Sequence, residues 1–230
     1  KGRAAALAVS LNNKNFYNVT LKNMYTPWTN EAQTVFAPLN DFTATMIGII
    51  RDEGDFRTVL YDNIVYTGID DADALPAYSN DNNDHYAALE SQGVDLSDPS
   101  KFAMGSQSAF NSLPADATSG VLTTRAAAKA FFVAGTNRAM FRFTTLNFLW
   151  NDMEQLKDTT RPTDRIRQDV TRSPGGDSRI FMNACMGCHA GMDPMAQAYA
   201  YYEWSGAEGS EDGHIEYTNG TVQNKHFINA

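Results

Sequence analysis

A chain of 230 residues, 43% of them hydrophobic, is long enough to bury one substantial core, so a single domain is the default reading. Its formal net charge of −9 argues against a nucleic-acid partner, because phosphate backbones are bound by neutralising them with Lys and Arg, and steers it instead toward basic partners. No run approaches the ~20 consecutive apolar residues of a membrane-spanning helix; the most apolar stretch, residues 126–133, is short and interrupted by Lys129.

The chain begins at Lys1 rather than at a methionine, which is expected of a processed form or a piece of something longer. Apolar spacing predicts helices over 4–11 and 16–24, then a longer one through Val35, Leu39, Phe42, Met46 and Ile49, with Pro27 and Gly54 as breaks. Phe56-Arg57-Thr58-Val59-Leu60 reads as a short helical turn and Ile64-Val65-Tyr66 as a brief extended piece. From residue 70 to 100 the sequence is acidic and rich in Asn, Asp, Ser and Gly, a surface excursion carrying one helix over 84–92. Asp70, Asp71, Asp73, Asp81 and Asp84 lack the glycine and terminal glutamate of an EF-hand loop and are read as solvated.

Residues 122–134 and 138–153 predict two helices split at Gly135-Thr136-Asn137, with Asn137 capping the second and Leu146, Leu149 and Trp150 on one of its faces. After a loop marked by Pro162, Pro174 and Gly175-Gly176, Asp177 is placed to cap a helix running into the cysteines, and Pro194 to open another ending near Tyr202. Residues 214–218 and 221–224 flank Asn219-Gly220, a two-residue hairpin signal. The fold class expected is mainly α, a single-domain helical haem protein with a small C-terminal β-hairpin and its haem-binding part at 177–230.

The haem follows from Cys185-Met186-Gly187-Cys188-His189. Residues three apart share a helix face, so both thiols reach the vinyl groups along one porphyrin edge while His189 offers its imidazole to the iron. Gly187 is expected to leave room for the ring edge. A redox dithiol would need a βαβ setting, a structural zinc site four ligands, and a bridge between cysteines this close would staple almost nothing.

The run Cys185 to Ala198, in which the haem motif is followed by Asp193-Pro194, resembles a largely uncharacterised family of bacterial extracytoplasmic c-type cytochromes abundant in planctomycetes. Phe56-Arg57, Gly120-Val121-Leu122-Thr123, Arg142 and the hairpin around Gly220 are similar to features of that family in the same order, whereas its Pro-rich stretch before the haem helix and the histidine after its Leu-Thr helix have no counterpart. The resemblance implies one covalent haem c and a periplasmic, extracellular or cell-surface location.

Axial ligation decides what a haem does. Met140, beside the break between two helices, is the first candidate for the distal ligand, followed by His85, Met104, His214 and His226, although a methionine there equally fills a core and His85 reads as solvent-exposed. Arg138 and Arg142 suit haem propionates or protein carboxylates equally well. The function expected is electron transfer outside the cytoplasm, with a basic protein or another cytochrome as redox partner, free or as a subunit of an assembly. A peroxidase-like haem enzyme and a structural or filament component carrying a fixed haem are the alternatives, and an electron carrier rather than an enzyme is favoured.

Overall fold

The computed structural model describes residues 2–69, 74–132, 136–207 and 209–218. It is mainly helical, with two small antiparallel two-stranded sheets. The described residues gather into two compact units, those within 2–130 with 204–216 and those within 131–203 with 217–218.

The first unit opens with α1 (Gly2–Leu11), which buries no side chain, and a π-helical turn (Phe16–Leu21) continuing into α2 (Lys22–Tyr25). Its centre is α3 (Asp41–Arg51), buried from Asp41 to Ile49. The longer helix expected through Val35 and Leu39 does not form. Asn40 Oδ1 accepts from the Thr43 N–H and starts the helix there, leaving Phe36 exposed.

Strand β1 (Val65–Gly68) pairs antiparallel with β2 (Phe102–Gly105), setting Tyr66 opposite Met104. Gly48 lies on the Tyr66 ring so closely that no Cβ fits, and the Tyr66 N–H donates to Thr45 Oγ1, which locks β1 onto α3.

The stretch expected as a surface excursion supplies core: Leu75, Tyr86, Leu89, Val94 and Leu96 are all buried, Tyr86 and Leu89 from α4 (Asp84–Ser91). Polar composition concealed this, because a short helix needs only two or three apolar residues to seat one face. Beyond α5 (Ser108–Asn111) and a 3₁₀ turn (Gly120–Thr123), the predicted 122–134 helix is interrupted at Thr124, whose backbone is extended, and restarts as α6 (Arg125–Phe131). Asp41 makes that restart, its carboxylate accepting from the Arg125 and Ala126 N–H groups at 2.6 and 3.0 Å.

In the second unit, α7 (Arg138–Leu149) follows Asn137, which has φ of 53° and donates through Nδ2 to the carbonyls of Tyr199 and Tyr202 instead of capping the helix. The helix stops at Trp150, also left-handed at φ 53°, so residues 138–153 are two pieces, α7 and α8 (Met153–Leu156). Asp177 caps α9 (Ser178–Ile180) as expected, accepting from the Arg179 N–H. A π-turn (Phe181–Cys185) leads into α10 (Met186–Ala196), and Pro194 sits inside this helix rather than opening a new one. Phe181, Met186 and Ala190 pack with Ile166 into a small core.

Strand β4 (Ile215–Tyr217) pairs with the upstream β3 (Tyr202–Trp204), with Thr218 N–H donating to Tyr201 O. The Asn219-Gly220 turn and its second strand lie outside the described residues.

Candidate functional site

Cys185 closes the π-turn and Cys188 and His189 lie in the first turn of α10. Helical geometry puts residues 185, 188, 189 and 192 on one face, and these four are part-exposed, while Met186, Ala190, Asp193 and Ala196 are buried. Both cysteines are free. Cys185 rests against the Ile166–Phe181–Met186–Ala190 cluster, and the Cys188 thiol points at the Met153 carbonyl at 3.4 Å. Burial, reinforced by the Glu154 charge, pushes the Cys188 thiol up from its ordinary value, the opposite of what a nucleophilic or redox dithiol requires.

His189 is held by its own helix. Its Nδ1 lies 3.0 Å from Oδ1 of Asp193, one turn on, and Asp193 is fully buried. The same Oδ1 accepts from Arg138 Nε at 2.7 Å, while Oδ2 accepts from the Arg167 N–H at 2.8 Å and from Arg138 Nη2 at 3.2 Å. Burial alone would raise the Asp193 carboxyl, but the bonds from His189, Arg138 and the Arg167 backbone overcome it and hold the group below the usual carboxylate range. An ionised carboxylate only accepts, so the ring proton is assigned to Nδ1 and the lone pair to Nε2, the nitrogen available to a metal.

Arg138 also clasps Asp169 through two bonds of 2.8 Å, and Arg142 pairs with Asp152 at 2.9 Å and Glu154 at 3.1 Å. Both arginines sequence reasoning offered to propionates are thus satisfied by protein carboxylates.

Beside Cys188 runs an apolar groove of about 340 Å³, walled by Phe141, Leu149, Met153, Leu156, Gly191 and Met195, with Arg161 at its edge. Its volume falls at the lower end of the ~300–1,000 Å³ typical of cofactor and ligand sites. Leu149, Leu156 and Met195 are at least half-exposed. Gly187 also lines this groove, and a Cβ there would stand 2.8 Å from the Lys157 carbonyl carbon, so its bare backbone serves the close approach of α10 to the chain after α8 as well.

Of the distal candidates, Met140 is buried in the first turn of α7, within the same unit as His189. His85 and Met104 belong to the first unit, as does His214. His85 is buried, not exposed, because its Nδ1 bonds the Pro76 carbonyl at 2.7 Å and its Nε2 accepts from the Gly68 N–H at 2.9 Å, leaving neither nitrogen for iron. Burial pushes its pKa down, the Pro76 bond opposing. Met104 is exposed on β2, and His214 Nδ1 pairs with Asp81 at 2.9 Å. His226 lies outside the described residues.

Sequence reasoning missed Asp193 as a partner of His189, although their four-residue separation on a helix was the available signal. It also missed Asp169 and the groove, which only the folded unit assembles. Among the described residues, no group of three or more His, Cys, Asp and Glu is placed to hold a metal ion. The donor set fits a haem instead: two cysteines free of a disulfide and three residues apart, and one imidazole with its Nε2 lone pair assigned, on a part-open helix face whose neighbouring ridge, Gly187, Gly191 and Met195, lines the apolar groove. No helix among the described residues is long and apolar enough to cross a membrane. Comparison with family models, curated proteins and solved structures finds no match for this chain.

Proposed function

We propose that this chain is a mono-haem c-type cytochrome that transfers electrons outside the cytoplasm. The observation that carries the reading is the contact between His189 and Asp193: Oδ1 accepts from the Nδ1–H at 3.0 Å, which leaves the Nε2 lone pair for a metal on the imidazole that follows Cys185 and Cys188. Haem c, when bound, supplies a one-electron iron couple. Cys185 and Cys188 would tether it by thioethers and His189 would ligate the iron; Phe141, Leu149, Met153 and Met195, in the groove next to Cys188, would shield it from water, and Met140 is the residue proposed as the second ligand.

The reading implies a location outside the cytoplasm and a redox partner that tolerates an acidic surface. Its test is expression in a host with haem-attachment machinery, followed by intact mass and an alkaline pyridine spectrum. One haem mass above the polypeptide is expected, lost in a C185A/C188A double variant; the bare polypeptide mass with free thiols overturns the reading. Low-spin spectra in both oxidation states are expected of the carrier, and a five-coordinate ferric spectrum with peroxide turnover would select the haem-enzyme alternative. Met140→Ala should convert the low-spin ferric signature to high-spin, and an unchanged spectrum removes Met140 as ligand.

A further inference from the structure

Covalent attachment needs the two cysteines and the histidine; it does not need a buried carboxylate beneath the imidazole. Asp193 is nonetheless fully enclosed and takes four contacts, two of them on the oxygen that faces His189. A ring N–H directed at an anion makes the opposite nitrogen a stronger donor, and stronger donation favours the ferric over the ferrous iron. Arg138 works the other way. Its Nε shares Oδ1 with His189 and draws charge from it, Nη2 reaches Oδ2 at 3.2 Å, and Nη1 and Nη2 both bond Asp169.

We infer that Asp193 is a positioning residue for His189 that holds the reduction potential low, with Arg138 as its counterweight. The inference rests on the haem reading above. Asp193 fixes the ring plane and the Nδ1 proton; Arg138 limits how much negative charge the imidazole receives; Asp169 holds Arg138 in register without touching the ring. The redox partner of the proposed function would supply the electron, and the proton would stay on Nδ1, so electron transfer here would exchange no proton.

The test compares midpoint potentials of haem-loaded Asp193→Asn, Asp169→Asn and Arg138→Gln, each first checked for covalent haem by mass and pyridine spectrum. Asp193→Asn is expected to shift the ferric preference by about tenfold, equivalent to a rise of about 59 mV in a one-electron couple. Asp169→Asn, which takes the same charge from the same arginine, should move it far less, and Arg138→Gln should lower it. If Asp193→Asn fails to fold, the opposed shift in Arg138→Gln and the small one in Asp169→Asn still decide. Equal shifts in the two Asn variants, or a rise in Arg138→Gln, assign the cluster to structure alone and overturn the inference. Absence of covalent haem in the unsubstituted chain overturns the haem reading itself; normal haem with unmoved potentials overturns only the role of Asp193.

Discussion

Asp41 in the first unit and Asp193 in the second are both withdrawn from water, at 2% and 0% exposure, yet they are held by different chemistry. Asp41 accepts from backbone N–H groups, those of Phe42, Arg125 and Ala126, with the Tyr78 hydroxyl at 3.4 Å. Burial pushes its carboxyl up and these amides only partly oppose it. Asp193 faces the same burial, but a guanidinium and an imidazole reverse it. Amides gather around a carboxylate to build architecture, here the start of α6; a cation and a ring gather around one to set charge. The two histidines divide the same way: His85 has both nitrogens spent on backbone, and His189 has its Nδ1 spent on a carboxylate, with its Nε2 the nitrogen proposed for iron.

The comparison breaks most visibly on truncation. Asp41→Ala strips three backbone N–H groups of their acceptor, and at about 1 kcal/mol for each lost bond the chain should lose about 3 kcal/mol in urea unfolding. Asp193→Ala should cost less, about 2 kcal/mol, because Arg138 keeps Asp169 as a partner and is not left as an unpaired buried charge. If Asp193→Ala proved the costlier variant, the division between an architectural and a charge-setting carboxylate would fail.

Acid titration sharpens the same contrast through its sign. Asp193 has a depressed folded pKa, so its stabilising contribution is present above the unfolded carboxylate value and disappears as pH falls through the folded one. Asp41 has a raised folded pKa, so its contribution is full below the unfolded value and declines as pH rises toward the folded one. Subtracting the stability profile of Asp193→Asn from that of the parent chain should leave a curve that rises with pH. The corresponding Asp41→Asn difference should fall. Two curves of the same slope would contradict the assignment.

What could be read from the sequence was what is local. The helical Cys185-to-His189 turn, the Asp177 cap, α4 and the later part of α3 depend on neighbours within a turn or two, and each is visible as a spacing. The interruption of α6 was not, because its cause is Asp41, 84 residues away in the chain. Strand β1 was legible as the extended Ile64-Val65-Tyr66, but its partner β2 lies across an intervening helix and has four residues, too few for an alternating pattern to register. Asn137 carried a cap signal, yet its amide went to Tyr199 and Tyr202, partners from a distant segment. At the site, Cys185, Cys188 and His189 were legible as a motif. Asp193 was legible only as part of an Asp-Pro pair, since its meaning comes from Arg138 and Arg167, which only folding brings to it.

The smallest expected effect concerns Trp150. It occupies the left-handed position after α7 with 86% of its surface exposed, and its N–H closes the helix onto the Thr145 carbonyl. Glycine adopts that conformation without the penalty an L side chain meets, so Trp150→Gly should raise stability by about 1 kcal/mol, read as an increase in Tm of the chain. A tryptophan kept where glycine folds better, with its ring in solvent beside the exposed Leu149, contributes nothing to the fold that its truncation would reveal. A fall in Tm on substitution would show instead that the ring is a packing element of the second unit, and would move this end of α7 to the architectural side of the comparison.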